Sequence, residues 1–263
     1  MTALLSTIGL TRRYAGLVAV DAVDLAVAAG SIHAVIGPNG AGKTTLFNLV
    51  SGLVVPSAGR IVFDGADIAA LAPFRRARLG IARSFQNIRV FGAMTALENV
   101  LTGLHIRGLA SLAEVVLRCG RFPAQERAAV AAARAALARV GLSDRAEVPA
   151  DALAYGDQRR LEIARAMAAG PRLLLLDEPA AGMNPSETEA LAGLVRRIRD
   201  AGTTVLLVEH DMGFVMDLSD RVTVLNFGRL IFEGAPAAVR REPAVVEAYL
   251  GSKLAERLER RPA

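Results

Sequence analysis

The chain has 263 residues, 52% of them hydrophobic, and a formal net charge of +5 from 31 basic and 26 acidic side chains. That is enough apolar material for one large domain or two small ones, and the single cysteine, Cys119, excludes a disulfide framework and reads as a bland thiol. No window approaches 18 uncharged apolar residues, so no membrane-spanning helix is expected, and residues 1–10 lack the basic start of a secretory signal. The positive charge raises the question of nucleic acid. The arginines, however, come in scattered groups (Arg12-Arg13, Arg75-Arg76, Arg159-Arg160, Arg196-Arg197, Arg240-Arg241), mostly interleaved with apolar residues at helical spacing, and tryptophan is absent. Solvated helix faces explain most of them, so no nucleic-acid partner is expected.

In chain order, residues 4–10 and 18–28 read as strands, the second alternating around Asp21 and Asp24. Residues 31–36 form a short buried strand, with His33 a structural residue inside it. This strand feeds Gly37-Pro38-Asn39-Gly40-Ala41-Gly42-Lys43-Thr44-Thr45. The pattern G-x-x-x-x-G-K-T is the loop that wraps nucleotide phosphates. Glycines 37, 40 and 42 let backbone N–H groups point inward as an anion nest, and a helix over 43–50 aims its positive end at the same place. Lys43 adds a compact point charge that a planar guanidinium would not replace. The composition agrees, since lysine occurs only at positions 43 and 253 in an arginine-rich chain. Thr44 offers a hydroxyl to Mg²⁺.

A strand at 59–63 closes in the Asp64-Gly65 turn. The apolar stretch 79–82 then leads to Ser84-Phe85-Gln86-Asn87, where the Gln86 amide can coordinate Mg²⁺, orient water or simply fill a loop. Residues 96–140 are rich in alanine and dotted with charge, and 124–140 are strong helix formers throughout, which predicts a mostly helical insertion with His105 as a structural residue. In Leu153-Ala154-Tyr155-Gly156-Asp157-Gln158, followed by apolar residues at helical spacing from Leu161, the spacing predicts a helix N-terminus with Asp157 near the cap. Such an end is a second anion site.

Strand and helix alternation then resumes. Residues 173–176 are four leucines, apolar on both faces as in a central parallel strand, and they end in Asp177-Glu178. Ligands of open α/β sheets bind beyond the carboxyl ends of strands, which puts Asp177 on Mg²⁺, through water, and Glu178 near an attacking water. Helices are predicted at 186–200 and 212–218 and strands at 203–208 and 221–225. His210, just past the first of these strands, lies at the same edge and can reach a γ-phosphate. From Pro236 onward the chain is expected to be helical, ending in a basic tail. The alternation as a whole argues α/β with a mostly parallel sheet.

In order and spacing, the phosphate loop, Gln86, residues 153–158, residues 173–178 and His210 resemble the Walker A, Q-loop, signature, Walker B and H-loop of ABC-transporter ATPase subunits, over essentially residues 4–250. The resemblance implies a P-loop NTPase (RecA-like) core with a mostly parallel sheet, an N-terminal antiparallel β subdomain and an inserted α-helical subdomain. Residues 1–86 and 165–235 would form the nucleotide-binding core, 87–164 the helical subdomain with the signature, and 236–263 a C-terminal helical tail. It implies ATP and Mg²⁺ as cofactors, with Glu178 as general base, Gln86 linking Mg²⁺ to the permease contact and His210 supporting the γ-phosphate. It also implies head-to-tail pairing of two ATPase subunits, in which Ala154, Tyr155, Gly156, Asp157 and Gln158 of one cap the ATP held by the other. Tyr14 falls where the family has an aromatic that stacks on adenine, although by position alone it could equally be a core residue.

Two departures from the family pattern stand out. Ala154 replaces the usual signature serine and so lacks a hydroxyl for the γ-phosphate, and Asn184 stands where an aspartate is common. Both bear on whether the two composite sites of a dimer are equal. With residues 153–165, 177–185 and 209–212 and the run Ala248-Tyr249-Leu250-Gly251, the chain most resembles the larger ATPase of branched-chain amino-acid importers. That likeness implies an ATP-hydrolysing subunit at the cytoplasmic face of the membrane. It also implies a second ATPase (a paralogue or a second copy), integral membrane permeases and an extracytoplasmic substrate-binding protein. Importers of urea or short amides have similar ATPases. A soluble ABC ATPase acting on nucleic acid usually has two cassettes, coiled-coil inserts or zinc sites, and a GTPase needs an Asn-Lys-x-Asp motif that two lysines at 43 and 253 cannot supply.

Overall fold

A computed structural model of the chain describes residues 3–84, 88–104 and 122–249; Gln86, His105 and Cys119 lie outside the described residues. The elements follow in the order β1 (Ala3–Tyr14), β2 (Leu17–Ala28), β3 (Ile32–Ile36), α1 (Lys43–Ser51), β4 (Ala58–Phe63), β5 (Ala66–Asp67), α2 (Pro73–Arg78), β6 (Ile81–Arg83), α3 (Ala96–Leu104) and α4 (Phe122–Arg139). They continue with α5 (Tyr155–Ala168), β7 (Leu173–Asp177), α6 (Pro185–Asp200), β8 (Thr204–Val208), α7 (Met212–Leu218), β9 (Arg221–Asn226), β10 (Arg229–Gly234) and α8 (Pro236–Val239).

Strands β2-β1-β4-β5, in that order, make an antiparallel sheet. Its inward residues on β2 are Val20, then Val23, Leu25 and Val27. The three-residue step from Val20 to Val23 breaks the period of two, and it coincides with a register shift against β1 and a positive φ of 47° at Ala22. A bulge there returns the apolar side chains to the core face. The expected strand ending at residue 10 instead continues to Tyr14, because Arg12, Arg13 and Tyr14 pair with Val20, Val18 and Leu17.

The larger sheet runs β10-β9-β3-β8-β7-β6, parallel except for β10, which pairs antiparallel with β9. Its continuous apolar runs are explained by burial on both faces. Ile32, Ala34, Ile36, Leu174, Leu176, Val205 and Leu207 join a core built with α3 to α7, whereas Val35, Leu173, Leu175, Leu206 and Val208 join a second core with α1 and the antiparallel sheet. Alternate side chains of one strand therefore serve two different layers.

Beyond Pro236 the described residues are helical in two pieces: α8 is a single turn, and a further helical stretch starts at Pro243 and covers 243–249. The residue before a proline disfavours helical geometry, which breaks the run at Glu242. Two arginines of these groups are exceptions to the solvated faces, since Arg76 and Arg159 are among the largest fully buried side chains. Arg76 donates to the carbonyls of Leu49 and Val50 at the negative end of α1 and to those of Leu71 and Ala69. Arg159 pairs with Glu162 at 3.0 Å inside the helical layer.

Candidate functional site

The parallel arrangement sets the carboxyl ends of β3, β8 and β7 side by side, β3 running into the glycine-rich loop and β8 and β7 into carboxylates. After β3 the chain has no room for a side chain at Gly37 or Gly42. A Cβ on Gly37 would come 2.2 Å from the Leu225 carbonyl oxygen, and one on Gly42, whose φ is 100°, would come 2.4 Å from that of Ala19. The loop is braced from behind, where Gly228 N–H donates to Ala41 O (3.0 Å) and Asp21 N–H to Gly228 O (2.9 Å). Asn39, Gly40 and Thr44 remain exposed at its rim. Lys43 opens α1 and is buried. Its ammonium donates to Gly37 O at 2.7 Å and Pro38 O at 2.9 Å. Burial lowers its pKa, and the nearby charges of Glu178 and Asp177 oppose that shift.

Asp177 closes β7, and its carboxylate accepts from the Arg83 guanidinium at 2.7 Å. Glu178, the next residue, is held in the left-handed backbone region at φ 47°, with its N–H donating to Val208 O at 2.9 Å. A non-glycine residue there is strained, and such strain concentrates at functional positions. The turn carries the Glu178 carboxylate to His210, with Oε1 and Nε2 2.7 Å apart. The structure thus gathers Lys43, Asp177, Glu178 and His210 at one edge of the sheet.

Three further residues complete this edge. Glu209 is buried, accepting from Ala180 N–H at 2.8 Å and His210 N–H at 2.9 Å. Burial raises its carboxyl pKa against the pull of these backbone donors. It ties the loop after β7 to the loop after β8 and so fixes Glu178 relative to His210. Sequence analysis assigned it no role, although a carboxylate closing a fully buried strand is itself a signal. Arg83 gave no signal among so many arginines. Tyr249, in the helical stretch after Pro243, packs on the helical-side core and accepts from the backbone N–H of Gly37; burial pushes its hydroxyl up to about 12.

The signature-like segment has a different neighbour. Helix α5 starts at Tyr155 with Ala154 as an N-cap that makes no side-chain bond. Asp157 lies in the first turn, near the cap as expected, and its carboxylate pairs with the Arg160 guanidinium one turn on. Tyr155 donates its hydroxyl to Ala181 O at 3.0 Å, and a Cβ on Gly156 would meet Glu187 Oε1 at 2.9 Å, so residues 154–158 are joined to the loop after β7. In that loop Asn184 caps α6 in a reciprocal box with Glu187, a task it performs as well as aspartate. Tyr14 is not a core residue: it is 39% exposed, with the Arg12 guanidinium 4.4 Å above its ring.

A phosphate loop, two carboxylates at the next strand end and a histidine facing one of them define a P-loop nucleotide-hydrolase site. Residues 20–181 match the family described as ABC transporter, and the chain belongs to that family as an ATP-binding ATPase subunit. Residues 229–255 match a second family, the branched-chain amino acid ATP-binding cassette transporter. The chain is 45% identical to the high-affinity branched-chain amino acid transport ATP-binding protein BraF of Pseudomonas aeruginosa, over 94% of this chain and 98% of BraF. It is 44% identical to LivG of Escherichia coli K12, a protein of the same description, with the same coverage. Among solved structures it resembles the ADP conformation of MJ1267, an ATP-binding cassette of an ABC transporter, with a TM-score of 0.84 and 31% identity over 95% of this chain and all of that one.

Proposed function

We propose that this chain is the ATP-hydrolysing subunit of an importer for branched-chain amino acids, docked on membrane permeases that carry the cargo. The observation that carries the reading is the pair Glu178–His210, 2.7 Å apart beside the phosphate loop. There Glu178 would accept a proton from the attacking water, and His210 would hold that carboxylate until nucleotide binds and then turn the same Nε2–H to the γ-phosphate. Lys43, freed from the Gly37 and Pro38 carbonyls, turns its ammonium to the β- and γ-phosphates. Tyr14 is an exposed aromatic on which adenine can stack.

The residues fit Mg²⁺. Thr44 and Asp177 are oxygen donors flanking the loop, and no cluster of three or more His, Cys, Asp or Glu is present among the described residues to hold a metal alone. Mg²⁺ favours that sparse supply, because it keeps waters and takes substrate phosphate oxygens. Bound there, it would neutralise developing charge on the transferred phosphoryl group. Gln86 is assigned to this ion and to the permease contact.

Among the described residues no helix is long and apolar enough to cross a membrane, so attachment would be peripheral, at the cytoplasmic face. A groove of about 690 Å³ is lined by Leu53, Ala82, Arg89, Phe91 and Arg165, among them residues that precede and follow Gln86 in the sequence. Leu53 and Phe91 are each 52% exposed there, which supports the groove as the permease contact. The exposed, uncapped start of α5 at Ala154 supports capping of a partner subunit's nucleotide. Co-expression with candidate permeases and a second ATPase, followed by uptake of radiolabelled leucine and of urea, tests the cargo. ATP-dependent leucine uptake is expected, and urea uptake alone would overturn it.

A further inference from the structure

Asp177 has an internal cation. Arg83 ends β6, the edge strand beside β7, and both side chains of the 2.7 Å pair are nearly dry, at 9% and 5% exposure. The same guanidinium reaches α1, the helix behind the phosphate loop, donating from Nη1 to Asn48 Oδ1 at 2.7 Å and Ser51 Oγ at 3.0 Å, and it lies 5.8 Å from the centre of the Phe47 ring. Asn48, Ser51 and the Phe47 ring are neutral, whereas Asp177 meets the guanidinium with an opposite charge. A buried carboxylate left without a cation is strongly unfavourable, and a guanidinium fork is the side chain best suited to hold one in a fixed direction.

We propose that Arg83 is the internal counter-ion of Asp177 and competes with Mg²⁺ for it, so that Arg83 sets the metal dependence of nucleotide binding. The inference rests on the assignment of Asp177 to the metal. A carboxylate shared between a guanidinium and a divalent ion attracts each less than it would attract either alone, and the two cations repel. Arg83 is thus a positioning residue that acts on the metal through Asp177. It keeps the carboxylate aimed, and the ion that arrives with the nucleotide must weaken or replace its contact. The anchors on Asn48 and Ser51 keep the guanidinium close, ready to return.

The test measures binding rather than turnover. Fluorescent ADP is titrated at pH 8, with chelator and over a range of Mg²⁺, into wild type, Arg83→Gln, Arg83→Lys and Asp177→Asn, each checked by thermal melting. Free Mn²⁺ is followed in parallel by electron paramagnetic resonance. Arg83→Gln is expected to lower the Mg²⁺ concentration at half-effect by at least about fivefold, a change that general loosening of the site would not produce. If Arg83→Gln does not fold, Arg83→Lys decides; it loses the fork to Asn48 and Ser51 and should shift the half-effect the same way by about twofold. An unchanged or raised half-effect in the folded variant overturns the proposal. Loss of the Mg²⁺ effect in Asp177→Asn alongside that result would leave the assignment of Asp177 standing, whereas a full Mg²⁺ effect in Asp177→Asn would overturn that assignment instead.

Discussion

Oε1 of Glu178 lies 2.7 Å from Nε2 of His210, and neither residue owes that distance to its own side chain alone. Glu178 is turned by a positive φ, with its N–H bonded to the carbonyl of Val208 on the neighbouring strand. The next residue on that side, Glu209, binds the backbone of both His210 and Ala180. Removing the charge of Glu178 should therefore abolish chemistry while sparing binding. Glu178→Gln, in the assembled complex, is expected to bind ATP with near wild-type affinity and to hydrolyse it about 10²–10⁴-fold more slowly. Phosphate release at wild-type rate would falsify its role as base.

Glu209 should behave differently. Glu209→Ala leaves the N–H groups of Ala180 and His210 without their buried acceptor, which costs about 1–3 kcal/mol for an unsatisfied donor. Urea unfolding should register that loss. Turnover should drop with it while nucleotide affinity stays near wild type, because the loops carrying Glu178 and His210 lose their register and the phosphate loop does not. A stable variant with normal turnover would show that the tie is dispensable.

At the phosphate loop itself, Tyr249→Phe removes one hydroxyl and keeps the ring. The Gly37 N–H then has no phenol oxygen to bond, and the carbonyl of the same residue is one that Lys43 uses. The bond is already made in the free chain, so its loss should cost about 1 kcal/mol of stability, read by urea unfolding. Equilibrium titration with fluorescent ADP should show at most roughly fivefold weaker nucleotide binding, and unchanged stability would show that the bond is dispensable.

His33 supplies a pH prediction. It is fully buried against the Thr223 hydroxyl, Nε2 to Oγ1 at 2.8 Å, and its pKa is lowered to about 4, chiefly by burial and also by the charge of Arg221. Between the ordinary value of about 6.5 and 4, the unfolded chain binds a proton that the folded chain refuses, so stability rises with pH through that window and is lost on acidification. From pH 8 to pH 5 this one group should remove about 2 kcal/mol. His33→Gln should show a shallower dependence, by one proton, in urea melts across that range; identical slopes would count against it.

Much of the core was legible because each of its parts is local. The four leucines before Asp177 announce a strand buried on both faces, and the spacing of Gly37, Gly42 and Lys43 announces an anion loop. The helix start near Asp157 was legible in the same way, although its carboxylate answers the Arg160 guanidinium one turn on and not a backbone N–H group. Arg76 and Arg159, by contrast, read as solvated charges because nothing local shows the four carbonyls that one meets or the core that encloses the other.

By itself the sequence determined which polar residues end up at one edge of the sheet, since the phosphate loop, the carboxylates after the four leucines and the histidine after the next strand are set by short spacings that backbone geometry enforces. Tertiary structure alone decided which side chains answer them. Arg83 meets Asp177 across 94 positions and Glu209 meets Ala180 across 29, while Tyr249 meets Gly37 from the far end of the chain. Such pairings depend on strand order and on which face each helix covers, and a buried charge or N–H group takes whatever partner the packing brings within reach.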